Sequence, residues 1–215
     1  MQSPSTTSRV VLAADVVVKL ATTALLVFAA LHPDWQQFAG KAMAARAVAY
    51  PAGLLVLPVA WWVFRRRSGR PYPALADLLV SIPFLVDTAG NALDLYDAVV
   101  WFDDACHLVN WALLLGGLAV SLPVRLHPWT RLGLTVGLGS TTALLWEVGE
   151  YYAFLRNSPE LATAYTDTLG DMVLGTTGSL LAGLLVLRLR PSQVPARTAV
   201  PQHVTARAEH RGRPD

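Results

Sequence analysis

The sequence carries a single cysteine, Cys106, in 215 residues. An internal disulfide is excluded, and so is a cysteine cluster for zinc or for an iron–sulfur centre. Charge is scarce too: 15% of positions are charged and the formal net charge is +2. Outside an arginine-rich C-terminal tail there is no interleaving of basic and aromatic residues, so nucleic acid is set aside as a partner. The common hydrolase signatures are missing: there is no HExxH of a zinc protease and no GxSxG of a serine hydrolase. No internal repeat is visible.

What is abundant is apolar side chain, at 53% of positions. It falls into blocks of about 16 to 22 residues divided by short polar turns, and a bilayer core about 30 Å thick takes about 20 helical residues to cross. A soluble chain would show amphipathic stripes instead. The pattern predicts an all-α, polytopic transmembrane bundle of about six helices in one domain over residues 1–190, with the lipid bilayer as its solvent.

The first helix is expected from about Val10 to Leu31. It is long for a secretory signal, with cleavage after Ala30 as the alternative reading, and Asp15 and Lys19 stand at the i, i+4 spacing of an ion pair. The second runs from about Ala45 to Phe64 and ends in Trp61 and Trp62 before Arg65, Arg66, Arg67 and Arg70, an interfacial anchor followed by a basic cluster. Pro71 and Pro73 break the chain before a third helix from Ala74 to about residue 89. The remaining three cover about Ala105 to Leu122, Trp129 to Tyr151 and Asp167 to Leu189. Residues 191–215, rich in proline and arginine, are expected to form a disordered cytoplasmic tail.

With six crossings, one side of the membrane receives 13 lysines and arginines and the other receives three, Lys41, Arg46 and Arg156. The positive-inside rule then places both termini in the cytoplasm. Acidic residues lean the other way, with Asp94, Asp97, Asp103, Asp104, Glu147, Glu150, Asp167 and Asp171 all toward the outer side.

Helical rise gives their depth. Counting from the cytoplasmic arginines, Glu147 lies about 24 Å above Arg131, Asp171 about 25 Å above Arg188 and His107 about 27 Å above Arg125. Three helices thus present ionisable groups at one level in the outer part of the core. Each adds a second group one turn away: Asp103 before His107, Glu150 after Glu147, Asp167 before Asp171. Asp87, with Asn91 and Asp94, is a further contributor from the third helix.

Carboxylates paired across neighbouring helices, joined by one imidazole, are a common way for a bundle to hold a divalent metal ion. The candidate metal ligands are therefore Asp103, His107, Glu147, Glu150, Asp167 and Asp171. Bland readings stand beside this one. Asp94, Asp97, Asp103 and Asp104 also suit solvated loops, Asp167 suits a helix N-terminus, and His107 suits a structural bond to Asp103 or Glu147. Glu147 and Asp171 sit too deep for either explanation, because an unpaired carboxylate inside an apolar span costs a few kcal/mol, ~2.5 or more.

Gly175, Gly178 and Ala182 form a small-residue groove on the last helix, suited to close packing in lipid. Trp35, Trp101 and Trp146 fit the outer interface and Trp129 the inner one. The hydroxyls of Ser140, Thr141 and Thr142 are expected to bond backbone carbonyls a turn earlier.

Phe102-Asp103 with His107, Trp146-Glu147 with Glu150, and Asp167-Thr168-Leu169-Gly170-Asp171-Met172 with Gly178 together resemble the YjdF-like family of bacterial inner-membrane proteins. The likeness covers about residues 87 to 183. It implies a multi-pass protein of the bacterial plasma membrane, and it groups His107, Glu147, Asp167 and Asp171 without naming a reaction. Three functions fit these expectations. One is metal-assisted hydrolysis or transfer on a lipid or envelope substrate; the others are a small proton- or cation-coupled carrier and a non-catalytic membrane subunit.

Overall fold

The computed structural model describes residues 6–68 and 71–193, apart from the side chains of residues 6, 7, 65, 68 and 160. Arg70 and most of the tail expected to be disordered therefore lie outside the described residues. The regular secondary structure of the described residues is all helical. The helices are α1 (Thr6–Leu31), α2 (Met43–Ala60), α3 (Ala74–Ala92), a single turn α4 (Leu95–Ala98), α5 (Phe102–Ser121), α6 (Pro128–Ala153) and α7 (Ala164–Leu189).

Proline sets several of the boundaries. Pro51 and Pro58 interrupt the hydrogen-bond ladder of α2, which opens into a wide π turn at Trp61–Arg65. Leu122, before Pro123, turns extended at ψ 141° and ends α5. Pro128 opens α6, with His127 as its cap accepting from the Trp129 amide at 3.4 Å.

Among the described residues five helices are long and apolar enough to cross a membrane: Ser8–Leu31, Met43–Phe64, Ala74–Ala92, Phe102–Ser121 and Ala164–Leu189. The protein is a polytopic helical membrane protein. α6 is as long as α7, 26 residues each, yet it does not join them. Its glycines, threonines and two glutamates dilute the apolar run expected as the fifth span. It still runs the length of the bundle, antiparallel to α7. At one end Arg131 donates to the Arg190 carbonyl at 2.7 Å, and at the other Glu147 faces the start of α7.

α3, α5 and α7 form the middle of the bundle, α1 and α2 flank α3, and α6 covers α7 and α5. The expected groove on α7 is where α5 comes closest. A Cβ at Gly178 would overlap the Leu108 carbonyl oxygen and press on the Ala112 amide nitrogen at 3.0 Å. Beside this approach Trp111, Leu115 and Ala143 make a buried apolar cluster, against which Trp146 packs. Trp146 is thus turned inward, unlike the exposed Trp35, Trp101 and Trp129.

The starts of α1 and α3 and the ends of α5 and α7 gather around one groove, so both described chain ends lie at the same end of the bundle. In that half Lys19 reaches Asp15 at 2.8 Å, as the spacing predicts, and also Asp77 on α3. Tyr72 donates to Asp77, and Ser81 donates to Asp15 at 3.0 Å. Asp77 was no part of the expectation; its contact with Lys19 ties α1 to α3.

Candidate metal centre

The opposite end of the bundle holds the acidic residues. α5 begins three residues earlier than its apolar run suggests, because Phe102 and Ala105 donate to the carbonyls of Val99 and Trp101. Asp103 and Asp104 therefore sit in its first turn rather than in a loop. Asp103 and His107 fall one above the other, and the His107 ring points between α6 and α7.

Around that ring the carboxylates stand at even spacing. Nε2 lies 3.6 Å from Asp103 Oδ1 and 3.7 Å from Asp171 Oδ1, and Nδ1 lies 3.8 Å from Glu147 Oε1. These are too long for hydrogen bonds, which run to about 3.2 Å. They are close to the separation of two ligand atoms on one ion, since bonds of about 2.1 Å at tetrahedral angles put neighbouring ligands about 3.4 Å apart. Two overlapping sets share the imidazole: Asp103, His107 and Asp171, and His107, Glu147 and Glu150. His107 and Glu147 are each 7% exposed and Asp171 3%, and Nδ1 of His107 has no hydrogen-bond partner. A buried ring nitrogen facing a buried carboxylate, with further carboxylates around it, is a donor set that could hold a cation.

Of the six expected ligands, five converge here. Asp167 is set apart: it is exposed in the first turn of α7, on the wall of an outer vestibule. That vestibule, about 520 Å³, lies among the segments joining the helices and is also lined by Lys41, Glu147 and Thr168. A smaller chamber of about 90 Å³ lies deeper, between His107, Asn110, Phe84 and Trp111. Arg46, Tyr96, Asp103 and Glu150 line both. The Asn110 side-chain oxygen is buried without a partner, so the chamber suits a few water molecules or a small polar ligand.

Asp87 belongs to a different network. It accepts from Arg46 Nε at 3.1 Å, from Tyr96 Oη at 2.8 Å and from Tyr50, and it does not reach His107. Burial, then the Asp87 charge, push the Tyr96 phenol far above its ordinary value, so it stays a donor. Arg46 also stands 3.9 Å from Glu150, bridging the two networks. From the sequence Arg46 is expected as a loop cation, and no role is expected of Tyr50 or Tyr96. The available signal was an arginine one turn before a tyrosine inside an apolar run. Above them, Lys41 pairs with Asp97 at 2.6 Å and its hydrogen bond holds that carboxyl below the usual range. Asp94, in a left-handed turn at φ 58°, has left the face of α3.

Ser140 departs from expectation: it pairs with Thr176 Oγ1 at 3.1 Å, while Thr141 and Thr142 bond the carbonyls of Gly137 and Leu138.

Membrane-length helices around a buried histidine and carboxylate cluster define a polytopic helical membrane protein. Residues 14–192 match the model of a family described as "Predicted membrane protein (DUF2238)". The chain belongs to that family. No curated protein and no solved structure matches it.

Proposed function

We propose that this is a multi-pass protein of the bacterial plasma membrane, both termini cytoplasmic, that binds a divalent metal ion at an outward-facing site. His107 holds the ion through one ring nitrogen, with Asp103 and Asp171 on the Nε2 side or Glu147 and Glu150 on the Nδ1 side, and Asp167 stands at its approach. The reading rests on one observation: His107 Nε2 stands 3.6 Å from Asp103 and 3.7 Å from Asp171, at ligand spacing rather than hydrogen-bond spacing, with Glu147 3.8 Å from the other ring nitrogen. The mixed oxygen and imidazole set favours a transition metal or zinc over calcium.

Such an ion, once bound, polarises an ester and lowers the pKa of a bound water. The site would then serve metal-assisted hydrolysis or transfer on a lipid or envelope substrate, reached through the vestibule. Arg46 balances the charge of Asp87 and Glu150, and Trp111 and Phe84 keep the floor of the chamber apolar. The Asp167-Thr168-x-x-Asp171-Met172 element supports placing the chain beside the YjdF-like proteins.

Elemental analysis of purified protein tests this. Wild type should carry stoichiometric divalent metal, and Asp171→Asn and His107→Ala should lose it. Well-folded, metal-free wild type would sink the metal reading and leave the carboxylates to a proton- or cation-coupled carrier.

A further inference from the structure

The end of the bundle away from the metal centre poses a separate electrostatic problem. Arg131, in the first turns of α6, is 2% exposed. One terminal nitrogen, Nη1, donates to the Arg190 carbonyl at 2.7 Å and to Ser192 Oγ at 3.4 Å, just past the end of α7. The other two, Nε and Nη2, have no partner among the described residues. They form the side-on edge of the guanidinium, whose parallel N–H groups match two oxygens of one anion.

Arginine cannot shed its charge, so burial leaves this edge in need of an anion. Among the described residues Arg131 forms no ion pair. The charged side chain that acts on it is Arg190, a second cation. The N-terminus of α6 adds the positive end of a 26-residue helix at the same corner. Asp15 and Asp77, the acidic residues of this half, are engaged by Lys19.

We propose that this corner is a phosphate-binding site, formed by the Nε and Nη2 edge of Arg131 with Arg190 beside it, and that its occupant is the headgroup of an anionic phospholipid. Free phosphate offers the same oxygens. The surroundings favour the lipid. Arg190 and Arg125 also border an open groove of about 790 Å³ whose walls include Leu75, Val120 and Leu122, which suits an acyl chain. Trp129, 74% exposed in the first turn of α6, is a side chain typical of the headgroup level. The short segment after α7 lies across the guanidinium, held by the Gln193 amide on the Val124 carbonyl at 2.7 Å.

The full chain, purified in a neutral detergent, can be titrated with phosphatidylglycerol, with phosphatidylcholine and with sodium phosphate at matched ionic strength. Thermal stability and native mass spectra are the readouts. Phosphatidylglycerol should stabilise wild type more than phosphatidylcholine does, and Arg131→Gln should weaken its binding roughly five- to tenfold. Arg131→Lys keeps the charge but not the fork and should recover only part of it. Arg190→Gln alters an exposed side chain and should weaken binding even if Arg131→Gln does not fold. Stabilisation by sodium phosphate with no preference among lipids would keep the phosphate site and overturn its lipid occupant. Equal response of wild type and both glutamine variants, or no response to any probe, would overturn the site itself.

Discussion

At the scale of single residues the half of the protein around His107 is governed by how its buried carboxylates are matched. Asp87 receives Arg46, Tyr50 and Tyr96, and each donor comes from outside its own helix. Replacing Arg46 with leucine removes the cation and leaves the carboxylate in a medium that solvates it poorly. Breaking one side of a buried pair costs about 3–5 kcal/mol. Arg46→Leu should lower stability by that order in detergent unfolding, and the pair Arg46→Leu with Asp87→Asn should recover much of the loss. Additive losses would mean the two are not coupled. Their pairing was not legible in the sequence because 41 residues separate Arg46 from Asp87. Lys19 and Asp77, 58 apart, were hidden for the same reason. His107, Glu147 and Asp171 were legible because a helix converts residue number into depth: three helices with arginines at one end place the rings and carboxylates at one height before any packing is known.

At the scale of elements, close approach in lipid depends on what the facing helix lacks. Gly178 lets the α5 backbone at Leu108 and Ala112 come against α7, and this contact carries His107 to Asp171. Gly137 on α6 has open space around it. Gly178→Val should separate α5 from α7 and cost at least the ~1–3 kcal/mol of overpacking, with weaker metal retention if the site is as proposed. Gly137→Val should change neither measurably. Equal effects of the two would mean that the contact does not hold the helices in place. The sequence showed the small-residue stripe on α7 but not its counterpart, since nothing in residues 108–112 marks a backbone about to be approached. It also set the start of α5 too late, because Asp103 and Asp104 read as loop until the Val99 and Trp101 carbonyls are seen to catch the first turn.

At the scale of the whole molecule, one helix decides the topology. α6 is too polar to count as a span by itself, yet its first turns meet the end of α7 and its last turns reach the histidine and carboxylate cluster. If α6 crosses, the chain crosses six times. The arginine-rich end is then cytoplasmic and the vestibule opens outward. If α6 lay on one surface, Glu147 and Arg131 would be at the same depth, yet Arg131 meets Arg190 at the end of α7 and Glu147 stands beside Thr168 near its start. The segments flanking α6 therefore carry the test. Cysteine placed at Arg125 and at Asn157 should react from opposite sides of the membrane, with Asn157→Cys labelled by an impermeant maleimide in intact cells and Arg125→Cys only after permeabilisation. Cys106, buried at 6% exposure, supplies the unlabelled baseline. Labelling of both from one side would make α6 a peripheral helix, reverse the side assigned to one half of the arginines, and leave the carboxylates around His107 without the aqueous approach that a metal centre needs.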